Sequence, residues 1–175
     1  MKNNFYTLKI LLIFFYYFFQ LNCALAKDLN FKASEIFTYE EGNIVVGNKN
    51  AEAKIESELE IYADKFTYNR NKETLIAEGN VKAVDLINKI NIQTNKIFYD
   101  KIQNKIISYG KTDFLINKKY KIYSEDVNFL LKENIVFSNK YSRLIDNENN
   151  NIQLSSFKYF DQTEIIKGAN IELLD

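Results

Sequence analysis

Residues 59–83 decide the fold of this chain, and they read LEIYADKFTYNRNKETLIAEGNVKA. Apolar residues alternate with other residues through Leu59 and Ile61, and again through Phe66 and Tyr68. Successive side chains of a strand point to opposite faces, so this spacing predicts an extended strand with an apolar face. The polar turn that follows, and the second apolar run after it, predict a β-hairpin.

The same pattern of two strands joined by a polar turn recurs along the chain at a nearly constant spacing. An aromatic residue in the first strand marks each copy, and successive markers are separated by 29, 31, 30 and 30 residues. The five markers are Tyr39, Tyr68, Tyr99, Phe129 and Tyr159. A repeat of this kind predicts a repetitive architecture, here about five units of roughly 30 residues each.

Short runs of Ile, Val, Tyr, Phe and Thr between polar turns predict an all-β chain. Its strands must run antiparallel, because parallel strands need a crossover of a dozen or more residues. One glycine falls in the second strand of four copies, and we expect a bulge or a bend at each. These glycines are Gly47, Gly79, Gly110 and Gly168, and Asn139 takes the place in the fourth copy. Residues 51–60 combine alternation with helix-forming composition, so a short helix is an alternative there.

Residues 1–26 have the three parts of a cleaved signal peptide. Lys2 and Lys9 are basic, residues 10–19 are apolar, and Ala24 and Ala26 form a small-x-small cleavage step. The apolar run is shorter than the roughly 20 residues that span a bilayer. We therefore expect an exported protein whose mature domain is residues 27–175.

The composition argues against an enzyme. The chain has no histidine, and its single cysteine, Cys23, lies in the leader, so imidazole and thiolate chemistry are absent from residues 27–175. Adjacent acids such as Glu40 and Glu41, or Glu125 and Asp126, point to opposite faces of a strand or lie in turns. We expect no catalytic residue, no metal site and no cofactor. The mature chain has a net charge of about −2, which argues against nucleic acid as a partner.

Residues 61–81 resemble the OstA domain of the lipopolysaccharide transport proteins. The likeness is carried by Ile-x-Ala-Asp-Lys-Phe-x-Tyr, a polar turn, and then Leu-Ile-Ala-Glu-Gly-Asn-Val, and it extends over about residues 31–171. The family includes the periplasmic bridge protein LptA and the N-terminal domain of the outer-membrane assembly protein LptD. The resemblance implies an elongated, twisted antiparallel β-jellyroll with an open apolar groove, which shields lipid A acyl chains as lipopolysaccharide crosses the periplasm.

The resemblance and the alternation together predict which residues line the groove. They are Ile61, Phe66, Tyr68, Ile92, Ile97, Tyr99, Ile122, Val127, Phe129, Leu154, Phe157 and Tyr159. A slip of one residue in register would turn the whole set outward. The implied partners are lipopolysaccharide, other jellyroll domains joined through edge strands, and an outer-membrane barrel. The implied location is the periplasm, in association with the outer membrane.

Alternatives to this interpretation remain at the sequence level. The chain could be a stand-alone LptA-like bridge or the N-terminal part of a longer LptD-like protein, and the five-repeat layout favours the second. An exported structural or adhesive β-repeat protein, binding protein and no lipid, would have a filled, dry interior in place of a groove. A small outer-membrane barrel would need segments of about ten residues with an unbroken apolar outer face. The frequent Lys, Asp and Asn residues argue against that barrel.

Overall fold

The computed structural model describes residues 29–55 and 58–174, so the predicted leader lies outside the described residues. That part of the chain contains fifteen strands and two short 3-10 turns, Glu40–Gly42 and Asp161–Thr163. The strands are β1 (Leu29–Lys32), β2 (Glu35–Tyr39), β3 (Ile44–Ile55), β4 (Leu59–Asn69), β5 (Thr74–Asp85), β6 (Ile90–Asp100), β7 (Lys105–Ile116), β8 (Tyr120–Glu125), β9 (Asn128–Leu130), β10 (Ile135–Ser138), β11 (Ser142–Ile145), β12 (Asn151–Leu154), β13 (Ser156–Phe160), β14 (Ile165–Ala169) and β15 (Glu172–Leu174). Within these residues, no helix has the length and apolar character that a membrane crossing requires.

All fifteen strands belong to one open sheet, and every strand pair in it is antiparallel. Consecutive strands are joined mostly by short turns, as the hairpin pattern requires. The predicted all-β, elongated antiparallel jellyroll is therefore confirmed.

The sheet bends across its middle into two facing leaves. The five long strands β3 to β7 run through both leaves, whereas shorter strands complete each leaf on either side. Leaf A consists of β2, β9, β10, β13 and β14 together with residues 44–48, 65–69, 74–78, 96–100 and 105–109. Leaf B consists of β1, β8, β11, β12 and β15 together with residues 51–55, 59–62, 81–85, 90–94 and 111–116. We call the bent edge the spine and the opposite long side the mouth.

A change of register marks the bend in each long strand pair. Between β4 and β5 the pairing stops after Tyr62 with Lys82 and resumes at Lys65 with Glu78, so β5 contains one more residue across the bend than β4. The extra residue lies at Gly79, where φ is +78°, and Gly110 occupies the equivalent place in β7 with φ +73°. The predicted bulge is confirmed at these two glycines, since only glycine adopts such a conformation without a steric penalty.

The expected bulge is wrong for Gly47 and Gly168, because both lie in regular strand pairs. Gly47 pairs with Phe66, and a Cβ atom there would lie 2.3 Å from the Phe66 ring. Gly168 pairs with Phe157, and its Cβ atom would lie 2.4 Å from the Leu154 side chain. These two positions need glycine because large inner side chains pass directly over the backbone.

The alternative of a short helix at residues 51–60 is also wrong. Residues 51–55 form the end of β3, and Leu59 and Glu60 begin β4; residues 56–57 lie outside the described residues. Ala51, Ala53 and Ile55 are all buried on the inner face. Burial of this alternating set outweighs the weak helix preference of the segment.

The first repeat is out of phase with the others. Phe37 and Tyr39 correspond in the repeat to the inner pairs of the later copies, but they are 45% and 55% exposed. They pair with outer residues of β3, whereas their neighbours pair with its inner residues. Phe31 of β1 takes the inner place instead, with its ring 4.6 Å from that of Phe66. An edge strand has neighbours on one side only, so less packing holds it in the common phase.

Alanine substitution of the two bend glycines should lower the stability of the domain by different amounts. Gly79→Ala places a Cβ atom 2.4 Å from Asp64 Oδ2 and 2.9 Å from its Cβ, whereas Gly110→Ala meets no atom within 4 Å. Both variants acquire a left-handed alanine, which costs about 1–2 kcal/mol. We expect Gly79→Ala to lose roughly 1 kcal/mol more than Gly110→Ala, through overpacking. Urea unfolding of both variants measures the difference, and equal losses would contradict this account of the bend.

Candidate functional site

The facing sides of the two leaves form one apolar interior that extends from β3 to β13. Its buried members begin with Val45 and end with Tyr159. All twelve residues predicted to line a groove belong to this cluster, with exposed fractions of 8% or less. The structure thus places the whole set inside, and the binding of lipid by these residues stays a prediction.

The alternation analysis missed about half of the interior. It named residues from the first strand of each repeat, whereas the returning strands contribute an equal share. Buried residues of these strands include Leu75, Ala77, Val81, Ala83, Ile106, Phe114, Ile116 and Val136. The signal for them was present, because they follow the same period of two along β5, β7 and β10.

Side chains from the two leaves pack directly against each other and fill the interior. Tyr99, Tyr159, Phe66 and Phe129 are among the largest side chains that are almost completely buried. A ligand could therefore reach these inner faces only if the leaves moved apart. Where the leaves can part depends on the contacts that hold them together along the spine and along the mouth.

The spine is held by buried hydroxyl groups as well as by the continuous backbone of the long strands. Thr112 Oγ1 donates to Ser108 Oγ at 2.8 Å, and the hydroxyls of Ser124 and Ser142 are 2.8 Å apart. Ser138 Oγ donates to the Glu125 carbonyl at 2.6 Å. Buried polar groups with partners add rigidity, so the spine is the closed side of the domain.

The mouth is formed by two rows of turns, one from each leaf, and a cavity of about 450 Å³ opens between them. Its apolar wall includes Ile55, Leu59, Tyr99 and Leu131. The turn residue Ile87 stands at its rim with its side chain 60% exposed. Ligand pockets in proteins commonly have volumes of this size. Tyr99 is the one predicted residue in its lining, which is mixed in character. The polar members of the lining are Glu58, Asp85, Asn88, Asn104, Lys132 and Asn134.

A first polar contact spans the mouth beside this cavity. Asn88 in the leaf B turn donates from Nδ2 to Asn134 Oδ1 in the leaf A turn at 3.0 Å. The same amide group donates to Asp85 Oδ2 at 2.8 Å, while Asp85 Oδ1 accepts the backbone N–H groups of Ile87 and Asn88. The buried Asp85 carboxylate therefore fixes the turn that carries Asn88.

A second polar contact closes the mouth farther along the domain. Lys119 Nζ lies 2.5 Å from Glu164 Oε2, and Asn117 Nδ2 donates to Tyr159 OH at 3.3 Å. The hydrogen bond and the negative charge of Glu164 raise the pKa of Lys119 above its ordinary value. Burial, followed by the hydrogen bond to Asp161, raises the pKa of Tyr159. We call Lys119, Glu164 and Asn117 the distal clasp.

The sequence contains no signal for these mouth contacts. Asn88 and Asn134 are 46 residues apart, and Lys119 and Glu164 are 45 residues apart. Each residue lies in a polar turn, where Asn, Lys and Glu are ordinary turn composition. Which turns meet depends on the angle between the leaves, and no local pattern encodes that angle.

The ends of the sheet expose apolar side chains on edge strands. At one end, β2 exposes Ile36, Phe37 and Tyr39; at the other, Ile165 and Leu173 are exposed on β14 and β15. The outer edges of these strands have no paired neighbour among the described residues. Such edges present free backbone N–H and C=O groups to another strand.

The acidic pairs considered in the sequence have local roles. Asp126 Oδ1 accepts the backbone N–H of Gly110 at 2.9 Å and so helps to hold the bend of β7. Glu40 and Glu41 form part of an exposed 3-10 turn. Among the described residues, no three His, Cys, Asp or Glu side chains are grouped as metal ligands.

Removal of the distal clasp should loosen the mouth without unfolding the domain. We expect Glu164→Gln to broaden the distance between spin labels at Lys118→Cys and Thr163→Cys, which lie in the two turns that the clasp joins. High salt should broaden it in the wild type too, because exposed ion pairs are screened. Since the pKa of Lys119 is raised, the contact should persist below pH 10.5 and weaken as the pH rises through the raised value.

Glu133→Gln is the matched control for this measurement. Glu133 lies in the neighbouring leaf A turn and is exposed. Its substitution changes the net charge by the same amount but removes no contact across the mouth. An equal effect of both substitutions would contradict the role given to the distal clasp.

Comparison with known proteins finds matches among solved structures. No protein family model matches the sequence, and no curated protein matches it. Solved structures that match include LptH from Pseudomonas aeruginosa, the LptA-homologous periplasmic component of its lipopolysaccharide transport device. That match covers 85% of this chain and 95% of LptH, with a TM-score of 0.34 and 13% sequence identity.

Proposed function

We propose that this domain is a periplasmic carrier in lipopolysaccharide transport and outer-membrane assembly. The observation that carries the proposal is the continuous apolar interior between two leaves that are joined at the spine but meet through polar turns at the mouth. Such an interior can exchange contacts between its own side chains for contacts with acyl chains. The resemblance of residues 61–81 to the OstA domain supports the proposal independently.

The mechanism requires the leaves to part at the mouth. The Lys119–Glu164 ion pair of the distal clasp is exposed, and contacts of that kind contribute little to stability. Separating apolar faces into water would cost about 25 cal/mol for each Å² exposed. Acyl chains that enter as the leaves part would cover the same faces. The cost of exposing those faces to water would then largely disappear. The sugars remain in solvent outside the mouth, and an energy source outside this domain drives transport in one direction.

The ends of the domain provide the contacts with neighbouring transport proteins in this proposal. Edge strands β2 and β14 expose backbone and apolar side chains together, which suits the addition of a strand from another jellyroll. The interiors of successive domains would then form one apolar path. The five-unit layout favours the N-terminal domain of an LptD-like protein, near an outer-membrane barrel, over a stand-alone LptA-like bridge.

The filled interior favours a second candidate, an exported structural or adhesive β-repeat protein without a lipid ligand. In that case the inner side chains would serve only as a core. The exposed apolar edges would bind protein partners. The two candidates differ in whether lipid reaches the side chain of Tyr99.

Photo-crosslinking at two neighbouring residues of β6 separates the candidates. Tyr99 is buried inside and lines the mouth cavity, whereas Phe98 lies on the outer face of leaf A. A photoreactive phenylalanine derivative replaces each in turn, in cells that make lipopolysaccharide. We expect lipopolysaccharide adducts from position 99 and few from position 98. Gel mobility with lipopolysaccharide-specific detection measures them.

The outcome of this experiment decides between lipid transport and a protein-binding module. Absence of adducts at position 99, in a protein with wild-type thermal unfolding, would overturn the carrier function. Equal adducts at both positions would indicate non-specific contact with lipid and would contradict the inner path. The two positions share a strand and an aromatic side chain, so differences in expression or reactivity are small.

The same method tests the edge strands. Photoreactive residues at Phe37 in β2 and at Leu173 in β15 should give adducts with other proteins, because both side chains are exposed at sheet edges. Tyr62 is the control, since it is 37% exposed but lies on a strand paired on both sides. Equal protein adducts at Tyr62 would argue against docking through the edges.

A further inference from the structure

The outer face of leaf B has a polar trough that crosses the neighbouring strands β5, β6, β7, β8 and β11. Two adjoining cavities of about 360 and 490 Å³ form it, and Asp113 and Tyr123 line both of them. Backbone pairing aligns one outer residue from each strand along the trough: Lys82, Gln93, Asp113, Tyr123 and Arg143. Five strands at about 4.8 Å spacing make it roughly 19 Å long. We call this the leaf B trough.

The leaf B trough has a basic lining on a chain without net positive charge. Five basic side chains line it against two acidic ones, whereas the whole chain has 23 of each. They are Lys82, Lys111, Lys121, Lys140 and Arg143, with Asp113 and Glu125. Lys140 also lies 3.9 Å from the Asp126 carboxylate. A concave surface with an excess of one charge attracts ligands of the opposite charge, so the lining favours an anion.

Most of these cations have no acidic partner. Within residues 29–55 and 58–174, Lys82, Lys111 and Lys121 form no ion pair. The first strands of leaf B differ, because there the Lys54 ammonium lies 2.6 Å from Glu60 Oε1. Lysines on an ordinary outer face of this sheet therefore pair with acids across strands, whereas those of the trough leave their charge to a ligand.

An aromatic ring holds the Arg143 side chain in position. The guanidinium lies over the Tyr123 ring, 4.8 Å from its centroid. No carboxylate of the described residues lies within ion-pair distance of it. A guanidinium binds a phosphate through two parallel hydrogen bonds, and a cation that is already held in place loses less freedom on binding.

The uncharged groups of the leaf B trough suit a carbohydrate. Asn91, Gln93 and Asp113 present amide and carboxylate groups that can exchange hydrogen bonds with sugar hydroxyls. Tyr141 lines the same trough with its side chain 59% exposed. The negative face of an aromatic ring attracts the C–H groups of a sugar ring. Oligosaccharides bind in a comparable way across the strands of OB-folds.

We propose that the leaf B trough binds a phosphorylated oligosaccharide, with a phosphate on Arg143 and a sugar ring on Tyr141. A phosphate carries nearly two negative charges at neutral pH, so it matches several cations better than a carboxylate does. The proposal rests on the carrier function for the origin of the saccharide, which is the sugar part of lipopolysaccharide. Lys121 lies two residues after Lys119 of the distal clasp, so sugars outside the mouth can reach the trough.

The form of the trough disfavours two other anionic partners. A membrane surface is flat, whereas the cations here line a concavity. A protein interface has an apolar centre with few charges, whereas Asp113 lies at the centre of this trough. Single-stranded nucleic acid also combines phosphate contacts with stacking on aromatic rings, so the experiment includes it as a competitor.

Isothermal titration calorimetry of the purified protein tests the proposal. The probe is the lipid-free, phosphorylated core oligosaccharide that mild acid releases from lipopolysaccharide. We expect Arg143→Gln to raise its dissociation constant about tenfold, because the bidentate contact with phosphate is lost. Arg70→Gln is the matched control, since it removes the same charge from an exposed turn between β4 and β5. Thermal unfolding shows that both variants fold.

Two further probes separate sugar recognition from attraction by charge alone. The same oligosaccharide after removal of its phosphate groups should bind more weakly, and so should inorganic polyphosphate. Tyr141→Ala should weaken binding of the phosphorylated oligosaccharide severalfold. It should leave the binding of polyphosphate unchanged, because polyphosphate has no sugar ring to lie on the tyrosine.

Amide chemical shifts of isotope-labelled protein locate the site. Titration with the oligosaccharide should shift the amide signals of Gln93 on β6 and Asp113 on β7, which line the trough. Phe98 and Ile107 are the controls, since they lie on the same two strands but in leaf A. Their signals should stay in place.

Three results would overturn the proposal. The first is a folded protein that does not bind the oligosaccharide. The second is equal weakening by Arg143→Gln and Arg70→Gln, or larger shifts in leaf A than in leaf B, which would place the anion elsewhere. The third is tighter binding of polyphosphate or of single-stranded DNA, which would show recognition of charge or of nucleic acid. Crosslinking at Tyr99 tests the interior separately, so failure of the lipid path and failure of the trough are distinguishable.

Discussion

The structure depends on keeping one apolar face inward through a bend. Side chains alternate along a strand, so a bend can leave the apolar set of one leaf facing water. The inner residues of β4 change from odd to even numbers between Ile61 and Phe66, whereas those of β5 stay odd from Ala77 to Ala83. One additional residue at the bend of β5 reconciles the two strands. Without it, the leaves would have no common interior.

The same bend determines how the two long edges differ. At the spine, covalent continuity and buried hydroxyls hold the leaves at a fixed separation. At the mouth, separate turns meet through side-chain amides and an exposed ion pair. Apolar burial therefore supplies most of the adhesion between the leaves, and the polar contacts align them. Any opening of the domain must occur as a hinge motion about the spine.

The features that the sequence predicted are those with local causes. Alternation placed Phe66, Tyr99 and the other ten residues on the inner side because each strand carries its own period of two. The alternative of a helix at residues 51–60 was wrong because burial and pairing with distant strands decide that segment. The distal clasp and the mouth cavity could not be predicted, since each arises from residues that only the register and the leaf angle bring together.

A filled interior and a transport function are physically compatible. In a carrier with a permanently open groove, empty apolar walls would face water, and the domain would lose stability or aggregate. Leaves that pack on each other avoid that state when no lipid is present. In the proposed transfer, the walls would exchange one apolar partner for another, and the area in contact with water would change little. The proposed transfer would begin at the polar mouth, where Asn88, Asn134 and the distal clasp must separate before the first acyl chain can enter.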